Sequence, residues 1–276
     1  MPWNAQLNLD YRRQDDRTLL RFAHDGPLRV LKSLYPEGNG VCHSVLVHPP
    51  GGLVAGDTLD VQVQVQPGAH ALVSTPGATR FYRSDGQAAT QRVKLQLHPG
   101  ARLEWLPLET IAHPGCQARN HLTLDIAPGA ELLGWEVTAL GLPATGQPFD
   151  HGQLHQRIHW PAHWLEESRI SGQDHRLQHA AMGLAGHRCL ATLYLASGNP
   201  MPPARRDALL HTVREVIGQH SLAGSAAATC PNPHVLVVRA LAPLVEPAMH
   251  LLQRLWGPLR HAAWQLQASP PRIWSV

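Results

Sequence analysis

Three times in the first half of the chain, an alternation of apolar and polar residues runs into the tripeptide Pro-Gly-Ala and a second apolar stretch follows. The three segments are VQVQVQPGAHALVSTPGATR (61–80), VKLQLHPGARLEWLPLETI (93–111) and LTLDIAPGAELLGWEVTAL (122–140). Their corners begin at Pro67, Pro99 and Pro128, a spacing of roughly thirty residues that falls in the range of stacked-repeat architectures. In the first unit Val61, Val63 and Val65 take one face of a strand and Gln62, Gln64 and Gln66 the other. Proline then ends the ladder and glycine permits a sharp bend, so the next strand starts on a new face. Stacking such units buries a continuous core that no unit buries alone. The pattern predicts a mainly β body of stacked, β-helix-like (solenoid-like) strands; an ordinary β-sandwich with similar turns is the competing arrangement.

The 24 prolines favour turns and short strands. Two helices are nevertheless expected near the C-terminus. From Pro203, PARRDALLHTVREVIGQH places Leu209, Leu210, Val213, Val216 and Ile217 on one stripe, and proline suits a first helical turn. In EPAMHLLQRLWGPLRHAAW, Pro247 opens a second helix whose apolar face is Met249, Leu252, Leu255, Trp256 and Leu259, and Pro258 should kink or end it. HVLVVRAL (234–241) reads as the last strand. No linker separates independent units. The reading is one domain, 1–276, with a β body over about 1–200 and helices plus final strands over about 201–276.

Composition narrows the function. The formal charge is only +3 and no basic run occurs, which argues against nucleic acid or an anionic membrane as partner. No apolar stretch is long enough to span a bilayer. The N-terminal MPWNAQLNLDYRRQDD lacks the apolar core of a secretory signal. Cys42, Cys116, Cys189 and Cys230 lie far apart, as in a cytoplasmic protein with free thiols.

HPPGGLVAGD (48–57), followed by Thr58, has the spacing of a phosphate-binding loop but carries Asp57 where that loop needs lysine. An acid there repels phosphate, and the segment that follows alternates as a strand where a phosphate loop opens a helix. The residues read instead as a turn capped by Asp57. His151, His155, His159 and His163 recur every four residues, but Gly152 and Pro161 break a helix and a strand begins near Leu154. A strand separates such side chains by about 13 Å, too far for one metal, so no tight metal site is expected. His175 and His179 could share a metal only if helical. Cys42 and His43, adjacent on a strand, point to opposite faces. Asp57, Glu104, Glu109, Glu136 and Glu167 stand among apolar residues. Buried acids need partners, and Arg80, Arg83, Arg102 and Arg169 are the nearest candidates; a polar path through the core is the other reading. No nucleophile elbow occurs.

Taken together, HPPGGLVAGD, STPGATRFYRS (74–84), LEWLPLETI (103–111), GWEVTALGLPA (134–144), GLAG (183–186) and PRIW (271–274) resemble the urease accessory protein family UreD, also called UreH, over nearly the whole chain. Ala55 departs from the family's glycine. Ser168 departs from its arginine, which leaves either Glu166 or Glu167 as the matching acid. The resemblance implies a stacked-strand fold with a few helices. It also implies a non-enzymatic role: a urease maturation scaffold, or chaperone, that binds apo-urease and UreF, which recruits the GTPase UreG. Nickel would then be delivered to the urease active site, with its carbamylated lysine, through an internal polar passage. On that reading Asp57, Glu136 and Glu167 are passage acids, Thr79 and Arg80 their polar neighbours, and Arg272, Trp274 and Trp256 belong to a docking surface for UreF. No cofactor is tightly bound; nickel is in transit, and weak exchangeable sites suit it better than a cage. The alternative from another class is a β-solenoid carbohydrate-active enzyme such as a polysaccharide lyase. Against it stand the 5% aromatic content and the lack of an identifiable pair of catalytic carboxylates.

Overall fold

The chain begins as a hairpin of β1 (Asn4–Gln14) and β2 (Arg17–Asp25), followed by the short β3 (Arg29–Val30) and β4 (Val41–Val47). Three coils come next: β5 (Thr58–Val65), β6 (His70–Ser74) and β7 (Thr79–Phe81); then β8 (Ala89–Leu97), β9 (Arg102–Leu106) and β10 (Thr110–Ala112); then β11 (Gln117–Ile126) and the long β12 (Glu131–Leu140). A second hairpin, β13 (Gln153–Trp160) and β14 (Trp164–Ser171), precedes the short helix α1 (His175–His179) and β15 (Cys189–Ser197). Helix α2 (Pro203–Gly218), β16 (Ala226–Asn232), β17 (Val235–Ala242) and helix α3 (Val245–Trp264) complete the order. The structure, a computed structural model, describes residues 2–275.

Each Pro-Gly-Ala corner carries the chain from one sheet to the other. The alanine N–H closes the turn onto the carbonyl before the proline: Ala69 to Gln66 (3.1 Å), Ala101 to His98 (3.0 Å) and Ala130 to Ala127 (3.0 Å). Gly68, Gly100 and Gly129 have φ of +69°, +71° and +79°, the left-handed conformation that the third turn position demands and glycine adopts without steric cost. The corners also stack, because Arg102 N–H bonds the Ala69 carbonyl and Glu131 N–H the Ala101 carbonyl. A turn in one coil is therefore a rung for the next.

The first sheet has the order β14-β13-β11-β8-β5-β1-β2, and the second runs β16-β17-β15-β12-β9-β6-β4-β3. Strands from successive coils pair in parallel, whereas the two hairpins pair antiparallel at the ends of the first sheet. Register aligns Leu7, Val61, Val93, Leu122 and Ile158 into one row, all buried between the sheets. A third, shorter ladder links Leu53, β7, β10 and the end of β12. Such three-sided, in-register coils are the solenoid-like arrangement and not the sandwich.

A further layer covers the outer face of the second sheet. Leu133, Trp135 and Val137 of β12 pack there with residues of α2 and α3. Helix α2 starts at Pro203 as expected and buries Leu209, Val213 and Ile217. Helix α3 does not end at Pro258 but continues through it to Trp264. An interior proline costs ~3 kcal/mol. Leu251, Leu252, Leu255 and Leu259 are all fully buried around it, each worth about 1.5–3 kcal/mol, so packing outweighs the lost bond. The final strands join the second sheet through β15. Among the described residues no helix is long and apolar enough to cross a membrane.

Candidate functional site

The core between the sheets is interrupted by amides. Gln91 on β8, Asn120 on β11 and Gln156 on β13 are register neighbours, and Ser168 on β14 holds the next place. They occupy the inward phase that Val93, Leu122 and Ile158 continue one step further along their strands. Gln91 Nε2 donates to Asn120 Oδ1 (3.2 Å). Gln156 reaches across to the second sheet: its Nε2 donates to Glu136 Oε2 (2.5 Å), and its Oε1 accepts from Thr138 Oγ1 (3.1 Å). Beside this row lies a cavity of about 240 Å³, bounded by residues 75–78 after β6 and Pro107–Leu108 after β9. Its wall carries Glu136, Gln91, Asn120, His48, Thr79 and Arg80 among apolar neighbours such as Val61 and Trp105. It has room for several waters, each needing about 30 Å³.

Among the described residues no cation partners Glu136. Burial pushes its carboxyl up to about 7; the Gln156 amide opposes the shift and nearby Glu166 adds to it. Among the described residues His48 Nε2 and the Tyr194 hydroxyl are buried without a hydrogen-bond partner. The His48 ring packs on Trp3 (centroids 5.1 Å apart), and burial holds its imidazole below the usual value, with Asp57 opposing. The cavity wall therefore offers the His48 imidazole, the Glu136 carboxyl raised to about 7, the amides of Gln91 and Asn120 and the Thr79 hydroxyl. Among the described residues no cluster of three or more His, Cys, Asp or Glu could hold a metal ion. These donors are spread along a wall rather than gathered about one point.

The residues singled out in the sequence are distributed unevenly. Glu136, Thr79 and Arg80 share the cavity wall, with Arg80 exposed. Asp57 is buried behind His48, is not part of that wall and closes the 54–57 turn, accepting from Val54 N–H (3.0 Å) and Trp3 N–H (3.2 Å). Gly52 in the same loop packs so tightly that a Cβ would lie 2.2 Å from the Tyr82 ring. Glu167 points outward from the first sheet, bonded to His155 (2.9 Å) and near Arg169 and Arg157 (3.4 and 3.8 Å); the His155 bond holds its carboxyl below the usual range. Strand alternation instead turns Glu166 inward, where Arg239 binds both its oxygens (3.1 and 2.5 Å) and Thr192 donates to it (3.4 Å). The acid facing the interior is thus Glu166.

The expected docking residues need a correction. Trp256 is 1% exposed and donates to Glu104 Oε2 (2.6 Å), so it is a core residue with no surface to present. Trp274 is half-buried against Trp135 and Trp256 (centroids 5.1 and 5.2 Å), while Arg272 is exposed. Glu104 pairs with Arg260 (3.1 Å) and His70 (2.8 Å) and with none of the arginines expected from the sequence. Cys42 lies in the core between the sheets, and His43 on the opposite face meets Glu37 (2.6 Å). The amide row and His48 escaped the sequence reading. A signal existed: Gln91 and Asn120 each stand eight positions before their corner proline, in the inward phase, and His48 opens the HPPGG motif.

The family model for "UreD urease accessory protein" matches residues 4–275. Three relatives named "Urease accessory protein UreD" align over the full length of both chains: one from Paracidovorax citrulli at 57% identity, one from Verminephrobacter eiseniae at 56% and one from Variovorax paradoxus at 55%. On this full-length match the chain belongs to the UreD urease accessory protein family.

Proposed function

We propose that this protein is a non-catalytic scaffold of urease maturation in the cytoplasm. It binds apo-urease together with UreF and, through UreF, UreG, and it passes nickel toward the urease active site through the polar seam between its sheets. The observation that carries this reading is the in-register amide row facing Glu136 beside the cavity. An apolar core has no structural need for three amides and a carboxyl with no cation beside it among the described residues, each costly to bury, whereas a path for a hydrated cation needs weak donors in series. In this role Glu136 is the principal carboxylate, His48, Thr79 and Arg80 line the approach, and Glu166 lies beyond Gln156. Asp57 holds the loop that carries His48. Arg272 and Trp274 are the terminal residues left to a UreF contact. The carbohydrate-enzyme alternative draws no support from relatives named as urease accessory proteins.

The test is urease activation by Glu136→Ala and Asn120→Leu variants, with complex assembly measured in parallel. Activation should fall while the complex still assembles. Undiminished urease activity from an assembled complex would exclude the passage. Asp57→Ala should fail differently, through loss of the loop and of assembly.

A further inference from the structure

His175 and His179 can share a ligand only on a helix, and the structure makes that segment helical. Five residues do not hold a helix unaided; this one is held from outside. Asp174 Oδ1 caps it by accepting from Leu177 N–H (2.9 Å). The Gln178 side-chain amide lies against the carbonyls of Phe149, Ser171 and Gly172 (3.1, 3.2 and 2.7 Å). The GLAG segment folds back onto it, with Leu184 N–H on the Leu177 carbonyl and Gly186 N–H on that of Gln178 (both 2.7 Å). Only glycine fits at position 183, because a Cβ would sit 2.2 Å from the Leu177 carbonyl oxygen. What this bracing presents outward is two exposed imidazoles, nearly parallel (13°), with centres 6.4 Å apart. Among the described residues neither ring makes a side-chain hydrogen bond or ion pair, unlike His155, which is engaged by His121 and Glu167.

We infer that His175 and His179 form a surface chelating site for a borderline divalent cation such as Ni²⁺, with water completing the shell. Residues four apart on a helix share one face, and imidazole suits nickel, copper and zinc. Two metal–nitrogen bonds of about 2 Å need their nitrogens about 3 Å apart, which rotation of two exposed side chains from the observed spacing supplies. With two protein ligands the site exchanges quickly. It rests on the maturation reading only for the choice of nickel.

The experiment is amide hydrogen exchange on the full chain, with and without Ni²⁺ alone. Bound metal should slow exchange across 174–186 in the wild type. His175→Ala should raise the Ni²⁺ concentration needed at least about tenfold, since losing even an outer-shell partner of a ligand costs 10–100-fold. A His179→Ala, Ala180→His double variant keeps two histidines but breaks their spacing, and it should lose the protection equally. Unchanged exchange in the wild type, or equal protection in all three chains, would overturn the site. The readout involves no urease, so it fails independently of the interior passage.

Discussion

Glu104 and Glu136 are buried glutamates on neighbouring strands of the same sheet, β9 and β12, yet they face opposite layers and live in different chemistry. Glu104 faces α3 and is fully engaged: Arg260 Nε (3.1 Å), Trp256 Nε1 (2.6 Å) and His70 Nε2 (2.8 Å) all converge on it. Arg260, itself fully buried, continues to Glu37 (2.6 Å). Trp264, two turns beyond Trp256, repeats the motif by donating to Glu131 (2.7 Å), which Arg205 also grips (2.7 and 3.0 Å). This face pins a helix. Glu136 faces the other sheet, has among the described residues one amide donor and no cation, and is left with a carboxyl raised to about 7. Saturation marks the structural acid, and incomplete satisfaction marks the acid with capacity to spare.

The contrast breaks most visibly at Glu104. Glu104→Ala leaves Arg260 buried beside an empty place and should destabilise the fold by about 3–5 kcal/mol in denaturant unfolding, whereas pairing Glu104→Leu with Arg260→Met should cost less than the two single losses summed. Glu136→Gln should act in the opposite direction. A carboxyl with its folded value raised from 4.5 to about 7 loses folding free energy as pH rises through that window, because the folded state then binds more protons than the unfolded one. The neutral amide removes a penalty of about 3 kcal/mol at pH 8 and little at pH 4, so thermal unfolding of the two chains should diverge with rising pH. Equal midpoints at both pH values would mean that Glu136 is compensated after all. Trp264→Phe deletes one hydrogen bond to a carboxylate and should cost about 1.5–3 kcal/mol. Glu167→Gln, on the solvent face, should leave the unfolding midpoint unchanged.

Much of the fold was legible because its rules are local. Alternation places every second residue of VQVQVQ inward and Pro-Gly-Ala sets the turns, so strands and corners follow from spacing, while the parallel register between coils decides for stacked coils over a sandwich. The same alternation decides between Glu166 and Glu167 once the strand's phase is known, and that phase comes from Trp164 and Ile170, which are buried between the sheets. Pro258 does not end α3 because a proline rule describes an isolated helix, while α3 is clamped along its length by buried leucines and tryptophans.

The candidate site divides in the same way. The sequence by itself determined the corners and the acids set among apolar residues, since each depends on neighbours a few positions away. Only the tertiary structure decided which acid is neutralised. Arg260 lies 156 residues from Glu104, and Gln156 meets Glu136 across two sheets. Charge compensation depends on distance in space and falls steeply over a few ångströms, and no pattern along the chain encodes that distance.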